Sequence, residues 1–159
     1  RDNPELTPRL YKGKDPLKIV VDSNLKIPRN CNLMKDPARL VVATTTKAPK
    51  SDVQKLQDKG IRVIITKPDK GMVDLKELMK ELGKSEIISI MIEGGSELNS
   101  SAINAGLVDK IMIFTAPKLI GNGKGAIGNL GITKIAKAIN LKNPVCRLVG
   151  KDLLIEAYL

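Results

Sequence analysis

Short β-branched runs, each followed by a stretch long enough for a helix, restrict this chain to a layered α/β fold. Leu17 to Asp22 (L-K-I-V-V-D) and Arg39 to Ala43 (R-L-V-V-A) are nearly continuous apolar runs, the pattern of strands covered on both faces, and they predict a central parallel sheet. Ser51 to Lys59 reads as a helix, with Ser51 and Gln54 at capping-box spacing, Val53 and Leu56 on one face and Gly60 as the stop. Ile61 to Thr66 is then a third strand. Asp74 to Leu82 is a second helix, with Leu75, Leu78, Met79 and Leu82 on one stripe and Gly83 at its end. Ile87 to Glu93 predicts a fourth strand, with Ser96 as N-cap of a helix running to Gly106, and Lys110 to Thr115 a fifth. In the C-terminal third, Lys134 to Leu141, Val145 to Val149 and Leu153 to Tyr158 read as short strands, the last two joined by the turn Gly150-Lys151-Asp152. The expected architecture is α/β: a mostly parallel sheet flanked by helices, closed by a C-terminal antiparallel hairpin. With 159 residues and 42% apolar content, one domain over residues 1–159 is expected.

Chemistry is restricted by what is missing. There is no histidine, which removes the usual general base, the Ser-His and Cys-His nucleophiles and the commonest zinc ligand. No metal site is expected. The formal charge of +10 draws anions, yet an aromatic content of 2% argues against base stacking on single strands, so no nucleic-acid partner is expected. No apolar run approaches the roughly 20 residues of a membrane span, and the start Arg1-Asp2-Asn3-Pro4 has no signal-peptide core. No membrane association is expected. Cys31 and Cys146 lack paired-ligand spacing and are read as reduced, in a cytoplasmic protein.

In open parallel sheets ligands sit beyond the carboxyl ends of the strands. That rule selects Asp22-Ser23, Thr44 to Thr46 with Lys47, Glu93 to Ser96, and Pro117 to Gly123. The run Ile90 to Leu98 (I-M-I-E-G-G-S-E-L) carries the sharpest signal. A strand there would end in a carboxylate and two glycines just ahead of a helix, where free backbone N–H groups attract anions, and Gly94 and Gly95 would let a phosphate approach. Each feature also has a plain structural reading: a tight turn needs glycine, and Asp22-Ser23 or Thr44 to Thr46 can simply finish a strand. Glycine-rich turns, hydroxyls and scattered lysines together suit a phosphorylated nucleotide better than a metal.

Several ordered motifs resemble the reductase domain of riboflavin biosynthesis, whose fold is like that of dihydrofolate reductase. They are D-N-P-E-L-T-P-R (Asp2 to Arg9), P-L-K-I-V-V-D-S (Pro16 to Ser23), I-E-G-G-S-E-L (Ile92 to Leu98), G-L-V-D-K (Gly106 to Lys110), A-P-K-L-I-G (Ala116 to Gly121) and V-G-K-D-L-L-I-E (Val149 to Glu156). The last two look most like the reductase half of the bacterial bifunctional deaminase-reductase. The resemblance implies NADPH-dependent reduction of 5-amino-6-(5-phosphoribosylamino)uracil to the ribitylamino compound, by hydride transfer to ribosyl C1′. It implies cofactor contacts at Asp2, Ser23 and the stretch Gly95, Ser96, Glu97, Leu98, Asn99, Ser100 and Ser101, and substrate contacts at Leu6, Arg9 and Glu93. Arg9 would suit the 5′-phosphate and Glu93 the sugar hydroxyls, with proton relay by Glu93 as a further expectation. Lys47 beside Thr44 and Thr45 is the expected contact for the 2′-phosphate of NADPH. Members of the family commonly form homodimers.

The chain starts inside the Asp-Asn-Pro-x-Leu-Thr motif, so the family's first strand and helix are expected to precede Arg1. The deaminase motifs His-x-Glu and Pro-Cys-x-x-Cys do not occur, and that half, if the parent is bifunctional, is expected upstream as well. These residues alone are expected not to be fully active. Two alternatives stand beside this reading: an archaeal-type diaminopyrimidine or dihydrofolate-reductase-like enzyme, and a basic module that binds nucleic acid without catalysis.

Overall fold

The strand Leu40–Thr45 has all six residues buried, and this two-sided burial organises the first part of the molecule. It is β2 in a computed structural model that describes residues 3–8 and 13–159. Asp2 and Arg9, both named above, lie outside the described residues. Contacts divide the chain after Ile88 into two compact units.

In the first unit, β1 (Lys18–Val21), β2 and β3 (Arg62–Thr66) form a parallel sheet in the order β1-β2-β3, with Ile19 opposite Val41 and Val42 opposite Val63. Because side chains alternate across a strand, β2 feeds two cores. Leu40 and Val42 join Leu25, Leu33, Val53, Leu56 and Ile61 on one face, the side of α1 (Lys50–Gln57). Val41 and Ala43 join Ile64, Val73, Leu78 and Leu82 on the other, the side of α2 (Leu75–Gly83). Helix α2 forms as its stripe requires, and Asp74 caps it by accepting from the N–H groups of Lys76 and Glu77. Between β3 and α2 a small hairpin intervenes, β4 (Pro68–Asp69) with β5 (Met72–Val73), turning through Lys70 and Gly71 at φ 48° and 84°.

The second unit contains α3 (Ser96–Asn104) and an antiparallel sheet of β6 (Lys110–Thr115), β8 (Asp152–Tyr158) and β7 (Lys142–Val149) in the order β6-β8-β7. The expected C-terminal hairpin is β7–β8, with Gly150 at φ 62° in its turn. Glu156 on β8 ties the three strands together by accepting from Lys110 at 2.7 Å and Arg147 at 3.0 Å. Those two cations hold the Glu156 carboxyl below its ordinary range, and the same hydrogen bond raises Lys110. No helix among the described residues is long and apolar enough to cross a membrane.

Three expectations are corrected. Ile87 to Glu93 forms no strand: a strand is defined by a backbone partner, and no described residue supplies one; Ile88 and Met91 in this run stand 98% and 74% exposed. Lys134 to Leu141 is irregular, with a 3-10 turn over Ile135–Lys137. Helix α1 starts one residue before Ser51, with Pro49 at the cap and no side-chain cap; Gln54 bonds Asp58 instead of completing a capping box.

Candidate functional site

Within the first unit, parallel pairing of β1 with β2 brings Ser23, Thr44, Thr45 and Lys47 to one sheet end. Hydrogen bonds knit this group together. The Thr45 hydroxyl donates to the Ser23 carbonyl at 3.0 Å and accepts from the Lys47 N–H at 3.2 Å. The Ser23 hydroxyl accepts from the Val73 N–H at 3.0 Å, so hairpin β4–β5 closes against the end of β1. Asp22 closes its own loop by accepting from the N–H groups of Asn24 and Ile27, which is the turn-capping alternative raised by its sequence. Thr44 is fully buried, and its Oγ1 is enclosed with no hydrogen-bond partner among the described residues. Lys47 is exposed.

Beside Thr45 opens a cavity of about 300 Å³ lined by Thr46, Lys50, Gln54, Gln57 and Ile65 among others. Its walls, open to solvent, offer hydroxyls, amides and one cation next to apolar surface. Leu6, at φ 51°, packs against the core cluster of Leu25 and Leu40, and the adjacent Asn3 is pinned by two hydrogen bonds with Asn32.

In the second unit the Glu93-Gly94-Gly95 turn leads into α3. The cap is Gly95, at φ 85°, and Ser96 is the first helical residue rather than the predicted cap. A chain entering through a left-handed turn favours glycine there, and the Ser96 side chain is not in capping position. With no side-chain cap, the backbone N–H groups at the start of α3 are left without a protein partner of that kind. Gly94 has neither a positive φ nor any atom within 4 Å of where a Cβ would stand. Its own chain therefore does not require glycine at that position. Glu93 is exposed. The helix stops at Asn104, with Gly106 at φ 67° just beyond it.

The remaining candidates on α3 divide by environment. Asn99 donates through Nδ2 to the Ala126 carbonyl at 2.8 Å, and Ser100, 6% exposed, donates to the Glu97 carbonyl at 3.1 Å. Leu98 and Ser101 are half-buried and Glu97 is exposed. Pro117 to Gly123 is irregular and exposed, with Leu119 and Ile120 uncovered. Sequence reasoning missed the contribution of Val73 and the contact of Ala126 and Gly128 with α3. The five glycines from Gly121 to Gly131 were the available sign that this loop packs closely on something.

The chain is 38% identical to riboflavin biosynthesis protein RibD of Actinobacillus pleuropneumoniae over 98% of its length, and spans 42% of that protein. It is 32% identical to the 2,5-diamino-6-ribosylamino-4(3H)-pyrimidinone 5′-phosphate reductase of Aquifex aeolicus, covering 98% of this chain and 70% of that one. In fold it is similar to RibD of Acinetobacter baumannii, with a TM-score of 0.81 over 99% of this chain and 43% of the other, at 22% identity. The α/β fold with its parallel sheet and C-terminal hairpin is thus that of RibD reductase domains, like dihydrofolate reductase. The profile of the RibD C-terminal domain matches residues 1–155, and the chain belongs to that family.

Proposed function

We propose that this chain provides the reductase activity of riboflavin biosynthesis, reducing 5-amino-6-(5-phosphoribosylamino)uracil with NADPH. The observation that carries the reading is the start of α3. There a glycine-capped first turn without a side-chain cap follows Gly94, a glycine that nothing in its own surroundings demands. Close approach of a phosphate accounts for both features. Exposed Lys47, held beside Thr45 at the end of β2, is a second feature that suits a nucleotide ligand.

When bound, NADPH supplies a hydride for ribosyl C1′. The chain's own part is to bind and orient. Gly94, Gly95, Ser96, Glu97 and Leu98 hold phosphates by backbone N–H groups; Ser23, Thr44 and Thr45 hold the nucleoside part, with Asp2 and Ser101 as further contacts. Lys47 meets the 2′-phosphate. On the substrate side Leu6 borders the base, Arg9 takes the 5′-phosphate in a two-pronged contact, and Glu93 holds the sugar hydroxyls and relays a proton. The same reading makes the protein a cytoplasmic homodimer; if the parent is bifunctional, its deaminase domain lies upstream, an arrangement supported by the chain's spanning 42% of its RibD relatives.

The deciding experiment is titration with NADPH and NADH, followed by cofactor oxidation with the aminouracil phosphate or with its diamino precursor. Preference for the diamino compound would move the assignment to the reaction named for the Aquifex relative. Binding of neither nucleotide, with salt-sensitive binding of nucleic acid instead, would overturn it in favour of a basic binding module.

A further inference from the structure

The loop Gly121–Gly131 touches α3 more intimately than any connection needs to. Gly128 donates its N–H to the Ser96 carbonyl at 2.9 Å, and Asn99 reaches out to the Ala126 carbonyl at 2.8 Å. A Cβ on Gly128 would stand 2.9 Å from both Ser100 Oγ and Ser96 O, and 3.3 Å from the Ser96 carbonyl carbon. Two of those atoms are helix backbone, so a side chain at position 128 must push the loop off the helix. Gly128 does not have a positive φ, so proximity, not backbone conformation, requires glycine. Gly125 is also crowded: a Cβ placed there would stand 3.1 Å from the Ile127 carbonyl oxygen of the same tightly folded loop.

Ser96, Asn99 and Ser100 stand at helical spacings of three and four, hence on one face of α3. That face is taken by the loop, and Ser100 is buried there. We infer that Asn99 and Gly128, with buried Ser100 packed beneath Gly128, are positioning residues for nucleotide binding: the Asn99 and Gly128 hydrogen bonds clamp the Ala126–Gly128 strap onto α3 and fix its first turn, and none of the three contacts the nucleotide. The inference rests on reading that turn as the phosphate site. It changes the role of two residues within the Gly95–Ser101 stretch, leaving Ser96, Glu97 and Leu98 to act through backbone N–H groups.

The test uses the full chain with Asn99→Asp, Asn99→Gln and Gly128→Ala. Two quantities are read: the dissociation constant for NADPH by fluorescence titration, and exchange of the Asn99 and Ser100 amide hydrogens without nucleotide. Asn99→Asp replaces a donor by a carboxylate facing a carbonyl, and Gly128→Ala forces the strap away. Both should weaken NADPH about threefold to tenfold, the scale of one lost hydrogen bond, and speed amide exchange in the first two turns of α3. Asn99→Gln, which keeps a donor, should recover part of the affinity. Unchanged NADPH affinity in Asn99→Asp, with the wild type binding normally, would overturn the inference. Should Gly128→Ala not fold, the half-buried Asn99 pair still decides. A wild type that binds no NADPH sinks the nucleotide reading, and unchanged α3 exchange in Asn99→Asp then sinks the clamp separately.

Discussion

The Ser23 hydroxyl accepts a hydrogen bond from the Val73 backbone N–H at 3.0 Å, joining the end of β1 to a hairpin fifty residues further along. A serine hydroxyl that accepts one bond still has its own hydrogen to donate. Ser23 can therefore hold the hairpin and face a ligand at the same time.

Replacing Ser23 by Ala should uncouple the two roles. The Val73 N–H, on a residue 5% exposed, loses its partner, and an unsatisfied buried donor costs about 1–3 kcal/mol. Denaturant unfolding measures the loss, and accelerated exchange confined to the Val73 amide identifies its source. Ser23→Thr, which retains the hydroxyl, should recover most of the stability.

Gly94 and Gly95 should respond in opposite ways. Alanine at 95 must adopt φ 85° and should cost about 1–2 kcal/mol of stability. Alanine at 94 meets open space and should leave stability within about 0.5 kcal/mol. If phosphate approaches there, Gly94→Ala nonetheless weakens NADPH, roughly tenfold or more for a direct clash. An alanine at 94 that binds NADPH like the wild type would remove the close-approach argument.

Glu93→Gln should lower turnover while leaving the affinity for the pyrimidine phosphate near normal, by roughly 100-fold if the carboxylate relays a proton. Full turnover with normal affinity would reduce Glu93 to a hydrogen-bonding contact.

The β-branched run Leu40–Thr45 was legible because burial on both faces leaves no polar alternation to blur, and Lys18–Val21 because its apolar residues pack, half-buried, on both cores. Helix α2 was legible for the complementary reason: one apolar stripe, a capping aspartate and a closing glycine agree. Hairpin β4–β5 was not, since strands of two residues carry no period, and only Asp69-Lys70-Gly71 signalled its turn. The run Ile87 to Glu93 was misjudged because an apolar pattern specifies preference for a strand and not the presence of a partner. Of the four loops the sequence assigns to one sheet edge, pairing of β1 with β2 brings Ser23, Thr44, Thr45 and Lys47 together, whereas the strand expected ahead of Glu93 does not form and β6, ahead of Pro117, belongs to the antiparallel sheet. The sequence could not separate Asn99, which holds the loop, and Ser100, which packs beneath Gly128, from their neighbours, because that distinction depends on Ala126 and Gly128 nearly thirty residues later.

The ion cluster on β6-β8-β7 should give the second unit a pH signature on both sides of neutrality. Glu156 titrates low because Lys110 and Arg147 bond it, so its contribution is present above the ordinary carboxylate pKa and lost as pH falls through the depressed value. Lys110 titrates high because of Glu156, so its contribution is present below the ordinary lysine pKa and lost as pH rises through the raised value. Glu156→Gln should flatten both limbs of thermal stability against pH, and added salt should shrink the wild-type effect. A wild-type profile identical to that of Glu156→Gln would show that the cluster contributes nothing.

The five residues Ile88 to Ile92 carry no charge, no proline and no glycine, and pair with no described backbone. Short uncharged runs of this composition are the ones that stack chain upon chain into cross-β assemblies. Solution behaviour follows directly: turbidity on warming should rise steeply with protein concentration, and a single lysine at Met91 should delay it without altering either core.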